Sequence, residues 1–300
     1  MPDLSERFAN IVIPEPLPPA DTSSFERIRY EKPIPHVARI VLARGEARNA
    51  QDYKMLSELD AAFQAATIDD DVKVIVLAAD GPHFSAGHDI TTIACADQLP
   101  IKTMSGGFRQ PGQHGPMANE EEVYLGYSWR WRNVPKPTIA QVQGKCIAGG
   151  LMLVWPMDIV IAAEDARFSD PVVAFGVNSH EYHTHMWELG PRKAKEMLFR
   201  GNFITAEEGE KRGMVNHVVA NEDLEAFVLN MAAEIAEMPA IGLKLAKMSV
   251  NQSLEAAGQY TAMQAAFGLH QVGHAHARVV YEGIPVDPAG IEKIAKLSRG

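Results

Sequence analysis

The chain has 300 residues, enough for one large domain with a substantial core, and 46% of them are hydrophobic. A formal charge of −10, with no long run among its 28 Lys and Arg, argues against a nucleic-acid surface and leaves any anionic ligand to a few local cations. No apolar run approaches the roughly 20 residues of a membrane helix, the N-terminus lacks a secretory pattern, and Cys95 and Cys146 are too few for a disulfide framework, so a cytoplasmic protein with reduced, structural thiols is expected.

In chain order, residues 1–24 are Pro-rich and polar and read as an N-terminal arm. Short β-branched runs at 36–43, 72–79, 137–144 and 158–164 read as strands. Between the first two, Leu56, Leu59, Phe63 and Ala66 recur at spacings of three and four, which predicts an amphipathic helix over 52–66. Residues 100–119 are rich in Gly, Pro and Gln and read as a long loop, a candidate cover for a site. Thr205 and Glu208 form a capping box for a helix closed by Gly213, followed by a short strand. Beyond 222 the pattern is helical, with a stop at Pro239 and further helix from 240 to about 278. The fold class is therefore α/β with a helical C-terminal third.

Two small-residue turns follow strands. In "FSAGHDI" (84–90), Ala86 and Gly87 let a ligand approach the main chain, and His88 offers a backbone N–H. In "GKCIAGG" (144–150), Ala148, Gly149 and Gly150 lead into a helix whose first amides are unpaired. Two such turns on neighbouring strands could aim two N–H groups at one oxygen, an oxyanion hole that needs no ionisable side chain.

These turns, with "EARNAQD" (46–52), "KPTIAQVQGKCIAGG" (136–150), "MDIVIAAEDARFSDP" (157–171) and "ITAEEGEKRGMVNHVV" (204–219), resemble the crotonase (enoyl-CoA hydratase/isomerase) family over residues 25–278. The resemblance implies a spiral of ββα units over 25–220, a helical trimerisation region over 221–300, and a homotrimer or dimer of trimers. It implies an acyl-coenzyme A thioester as substrate, as in fatty acid metabolism, with no tightly bound cofactor. The thioester oxygen would sit between the N–H groups of His88 and Gly149. Ala86, Gly87 and neighbouring main chain would meet the coenzyme, and Arg44 and Arg48 its phosphates.

Hydratases of this family carry one glutamate shortly after the glycine turn and another after the "DP" turn; this chain has Met152 and Val172 there. Replacement groups lie in "VNSHEYHTHMWELGPRK". His180 and Glu181 are read as general base and partner, and Asp170 as a third candidate, against the alternative of a polar loop facing another subunit. Glu120, Glu121 and Glu122 read as first-turn helix acids, one of which could point into the site. His270 and His274 are spaced to share a helix face, but with no acid motif beside them a polar interface or a phosphate contact is expected rather than a metal. Open readings are hydration, isomerisation, hydrolytic C–C cleavage of a β-diketone, and a non-catalytic acyl-CoA binder.

Overall fold

The structure, a computed structural model, describes residue 16, residues 18–90 and residues 101–297. Most of the N-terminal arm, Cys95 and the first residue of the expected loop lie outside the described residues. Cys146 is a free, buried thiol.

Six strands form the main sheet: β1 (Ile28–Ile34), β2 (Val37–Leu42), β3 (Val74–Ala79), β4 (Thr138–Val142), β6 (Ile159–Ala163) and β9 (His217–Val219), in the order β1-β2-β3-β4-β6-β9. Within this sheet, among the described residues, only β1–β2 is antiparallel. Strands β5 (Lys145–Ile147), β7 (Arg167–Ser169) and β8 (Ile204–Thr205) form a second, small sheet.

The central strands are covered on both faces, which is why β3 and β4 are buried along their whole length and β3 reads as a continuous apolar run. Alternate residues serve two cores. Ile75, Leu77, Ala140 and Val142 meet Leu56, Leu59, Phe63 and Ala66 of helix Tyr53–Ile68, while Val74, Val76, Ile139 and Ile161 meet Val228 and Ala232 of helix Leu224–Ala236. Phe63 is 1% exposed and stacks on Trp131, so truncating it would cost roughly 3–5 kcal/mol.

Three elements differ from the sequence expectation. β1 is a polar edge strand that tolerates Pro33 and turns at His36 with φ 65°. The expected loop ends at Gln113, because helix His114–Glu120 continues through π-helical Glu121–Gly126 into helix Tyr127–Arg132. The three glutamates are therefore mid-helix. The C-terminal helix breaks into Ala240–Ala256 and Gln259–Val280 around left-handed Gly258. Helix Gly149–Val154 is a short one, ending before Pro156, whose missing N–H cannot continue it.

Candidate active site

The two turns meet. Parallel bridges Gln51↔His88 and Ser85↔Cys146 tie the first turn to the segment before helix Tyr53–Ile68 and to β5. A Cβ on Gly87 would lie 2.9 Å from the Ile147 carbonyl oxygen and 3.2 Å from the Gly149 nitrogen, and one on Gly149 would lie 2.6 Å from His88 Cδ2. Only main chain without side chains fits this approach.

Each donor follows a residue in the left-handed region, Gly87 (φ 90°) before His88 and Ala148 (φ 50°, ψ −113°) before Gly149. These rotations set where the next N–H points. The neighbouring amides are used: Gly87 N–H donates to Ser85 Oγ (3.2 Å), Asp89 N–H to the Gln51 carbonyl (2.9 Å) and Ala148 N–H to the Ser169 carbonyl (2.9 Å). The N–H groups of His88 and Gly149 have no acceptor among the described residues. Two unmatched donors on touching bends make the arrangement suited to one oxyanion.

Side chains from four segments close over this clamp. The His88 ring stacks on Tyr124 (centroids 4.2 Å apart), which in turn stacks on Tyr53. Burial depresses the His88 pKa to about 4, so the imidazole is neutral near pH 7. Its Nδ1 lies 3.9 Å from Glu181 Oε1. Glu181 is buried, its Oε2 has no hydrogen-bond partner among the described residues, and burial, reinforced by Glu120, pushes its pKa well above the usual carboxyl range. Beyond Glu181 stand His270, whose Nε2 is 3.7 Å from Glu181 Oε1, and Glu120, whose pKa burial also raises.

A second cluster lies on the other side of the same loop. Asp170 Oδ2 accepts from the His180 main-chain N–H (2.9 Å) and is 2.9 Å from His185 Nε2, while the His180 ring packs beside Trp155 and His185. Burial drives the His180 pKa well down. His180 and Glu181 thus have different partners: the His180 ring packs beside Trp155 and His185, and Glu181 lies beside His88 and His270. The loop does not face outward, since Ser179, His180, Glu181, Tyr182, Thr184 and His185 are all buried.

The remaining candidates divide as follows. Arg44 is engaged internally, donating to the Ala50 carbonyl and pairing with Asp89 (3.1 Å) and Asp52 (3.4 Å). Arg48 is exposed, and its carbonyl accepts the N–H of exposed Ala86, which places the two at the rim of the clamp. Met152 is core, and Val172 is buried at the start of a 3-10 turn. His270 and His274 turn inward rather than toward an interface. Glu120 is the acid that the first-turn reading undervalued; the acid triplet pointed to it, but only the helix register distinguishes it from Glu122, which instead pairs with Arg130.

A family model described as enoyl-CoA hydratase/isomerase matches residues 35–284. The chain belongs to the enoyl-CoA hydratase/isomerase family. It is 48% identical to a solved probable enoyl-CoA hydratase from Mycobacterium smegmatis, with TM-score 0.79, covering 87% of this chain and 98% of that one. A solved probable enoyl-CoA hydratase from Mycobacterium thermoresistibile is 50% identical, with TM-score 0.77 and coverage of 85% and 99%. The mitochondrial enoyl-CoA hydratase domain-containing protein 3 of Mus musculus is 30% identical over 79% of this chain and 74% of its own length. The mixed α/β layers with C-terminal helices are those of the crotonase fold.

Proposed function

We propose that the protein binds an acyl-CoA thioester, stabilises its enolate between the N–H groups of His88 and Gly149, and moves a proton through Glu181. The observation that carries this reading is the pair of main-chain donors unmatched among the described residues, with a buried carboxyl whose Oε2 is likewise unmatched beside the His88 ring. Polarising the thioester carbonyl makes the β-carbon electrophilic, and preorganised donors of this type contribute roughly 3–4 kcal/mol each. Raised in pKa, Glu181 rests as the neutral acid. It can deliver its proton to the enolate carbon and recover one from the water that adds at the β-carbon. One carboxyl then does what the family divides between two, which suits a chain carrying Met152 and Val172 at those places.

Exposed Arg48, beside Ala86, is the cation better disposed for coenzyme phosphates. Exposed Ile241, Leu245, Leu269 and Val272 on the C-terminal helices support self-association, for which a trimer or dimer of trimers is the proposed form. Turnover of an acyl-CoA panel in oxygen-18 water tests the reading. Label in the product is expected with wild type and not with Glu181→Gln. Isomer formation without label would replace water addition by isomerisation, and binding without either would make the protein the acyl-CoA binder that Met152 and Val172 also suit.

A further inference from the structure

His270 and His274, four residues apart on helix Gln259–Val280, present their rings from one face. Both are buried, at 4% and 9% exposure. His270 Nδ1 meets the Ser179 carbonyl at 2.7 Å and His274 Nδ1 meets the Pro285 carbonyl at 2.6 Å. A carbonyl only accepts, so each Nδ1 carries the proton and each Nε2 presents a lone pair inward. That is the orientation in which metal-ligating histidines are held by their outer partners.

Opposite the two rings stands Glu120, with Oε2 3.9 Å from His270 Nε2 and Oε1 3.7 Å from His274 Nε2. These gaps are too long for hydrogen bonds, and His270 Nε2 has no hydrogen-bond partner among the described residues. They come close to the spacing of ligands around a shared ion: with bonds of 2.0–2.2 Å, tetrahedral neighbours stand about 3.4 Å apart. The three ligand atoms lie within 4.8 Å of one another. Glu120 is itself held by a chain running through the site's wall, in which Gln271 Nε2 donates to Glu120 Oε2 (2.6 Å), Gln113 Nε2 to Gln271 Oε1 (2.7 Å) and Arg278 Nε to Gln113 Oε1 (3.0 Å).

We infer that Glu120, His270 and His274 form a site for a divalent transition ion of the zinc class, bound by two imidazoles and one carboxylate. Three protein ligands leave a further coordination position, and Glu181, 3.7 Å from His270 Nε2, is the adjoining acid. A metal-bound water beside Glu181 would ionise far more readily than free water and serve the water-adding step. Metal binding stands without the acyl-CoA reading; only its use in that step rests on it.

The test uses the full chain without an affinity tag, stripped with a chelator and titrated with Co2+ followed by visible absorption, then with Zn2+ in competition. One Co2+ per chain is expected, displaced by Zn2+, with affinity at least tenfold weaker in His274→Ala and Glu120→Gln and unchanged in His276→Ala, an exposed control on the same helix. Thermal melts check each variant, and Gln271→Ala, which removes the hydrogen bond to Glu120 and leaves all three ligands in place, weakens binding by about tenfold if the ligand variants fail to fold. Absence of Co2+ bands in wild type, or equal affinity in wild type, His274→Ala and Glu120→Gln, overturns the site. Acyl-CoA binding by the stripped protein is measured separately, so either reading can fail alone.

Discussion

The two histidine-rich clusters around residues 179–185 each centre on a buried carboxyl, Asp170 or Glu181, and are built to opposite plans. Around Asp170 the contacts are short: the carboxylate takes the His180 main-chain N–H and the His185 ring, both at 2.9 Å. Burial alone would raise its pKa, but the His185 hydrogen bond and the nearby imidazoles hold it far below the usual range. Around Glu181 the contacts are long, 3.7 Å to His270 and 3.9 Å to His88, and the carboxyl is pushed the other way. A buried charge with its hydrogen bonds made stabilises a loop, whereas a buried acid lacking them is costly to the fold and available to a ligand.

The largest expected effects separate the clusters. Glu181→Gln should lower kcat by about 10²–10⁴-fold, the range for loss of a general acid, while leaving the melting temperature near wild type. Steady-state kinetics beside a thermal melt reads both, and a variant that unfolds without a kinetic defect would make Glu181 structural. Asp170→Ala should do the reverse, lowering unfolding free energy by roughly 3–5 kcal/mol in chemical denaturation because His185 loses its carboxylate.

Acid titration sharpens the same contrast at smaller amplitude. The folded pKa of His88, about 4, lies below the unfolded value near 6.5, so unfolding takes up a proton between those values. Stability should therefore fall as pH drops from 6.5 toward 4, by at most about 1.4 kcal/mol per pH unit for this group. Asp170 acts in a lower window: its contribution is complete above the unfolded carboxyl value near 4 and is lost only as pH falls through its depressed folded value. Denaturation curves across pH 3–7 on His88→Gln and wild type check the sign, since the slope between 6.5 and 4 should flatten in the variant.

How much of this could be read in the residues follows the same division. The clamp was legible because it is local: "SAGHD" and "IAGG" each carry their small residues and their donor within a few positions, and the strands before them are rich in β-branched and small apolar residues. Helix Tyr53–Ile68 was legible for the same reason, though its N-cap, Asp52 accepting from the Met55 N–H, was not foreseen. The acid cluster was hidden because it is assembled from segments around 120, 181 and 270, and spacing says nothing about residues 150 apart. His270 and His274 had the right period but their acid came from a helix read as beginning at Glu120. The hydrogen-bonding direction of Asp170, toward His180 main chain rather than its ring, likewise depends on a turn geometry that no pattern of residue types encodes.

The smallest effect tests the clamp itself, the part of the site that needs no ionisable group. Ala148 sits at φ 50°, ψ −113°, a conformation costing a side-chain-bearing residue on the order of 1–3 kcal/mol. Ala148→Gly removes that strain but adds freedom to the unfolded chain, worth about 0.4–1 kcal/mol in the opposite sense, so a net gain of about 1 kcal/mol in stability is expected. Activity should move the other way. With glycine the peptide between 148 and 149 can rotate, the Gly149 N–H is no longer fixed toward its oxygen, and kcat/KM should fall by roughly 3–10-fold, a fraction of the loss for removing an oxyanion donor outright. Unlike Asp170→Ala this variant would be more stable and less active, and unlike Glu181→Gln its defect would be independent of the proton-carrying group. A stabilised enzyme with full activity would mean that Gly149 alone, without strain at 148, is enough to aim the donor.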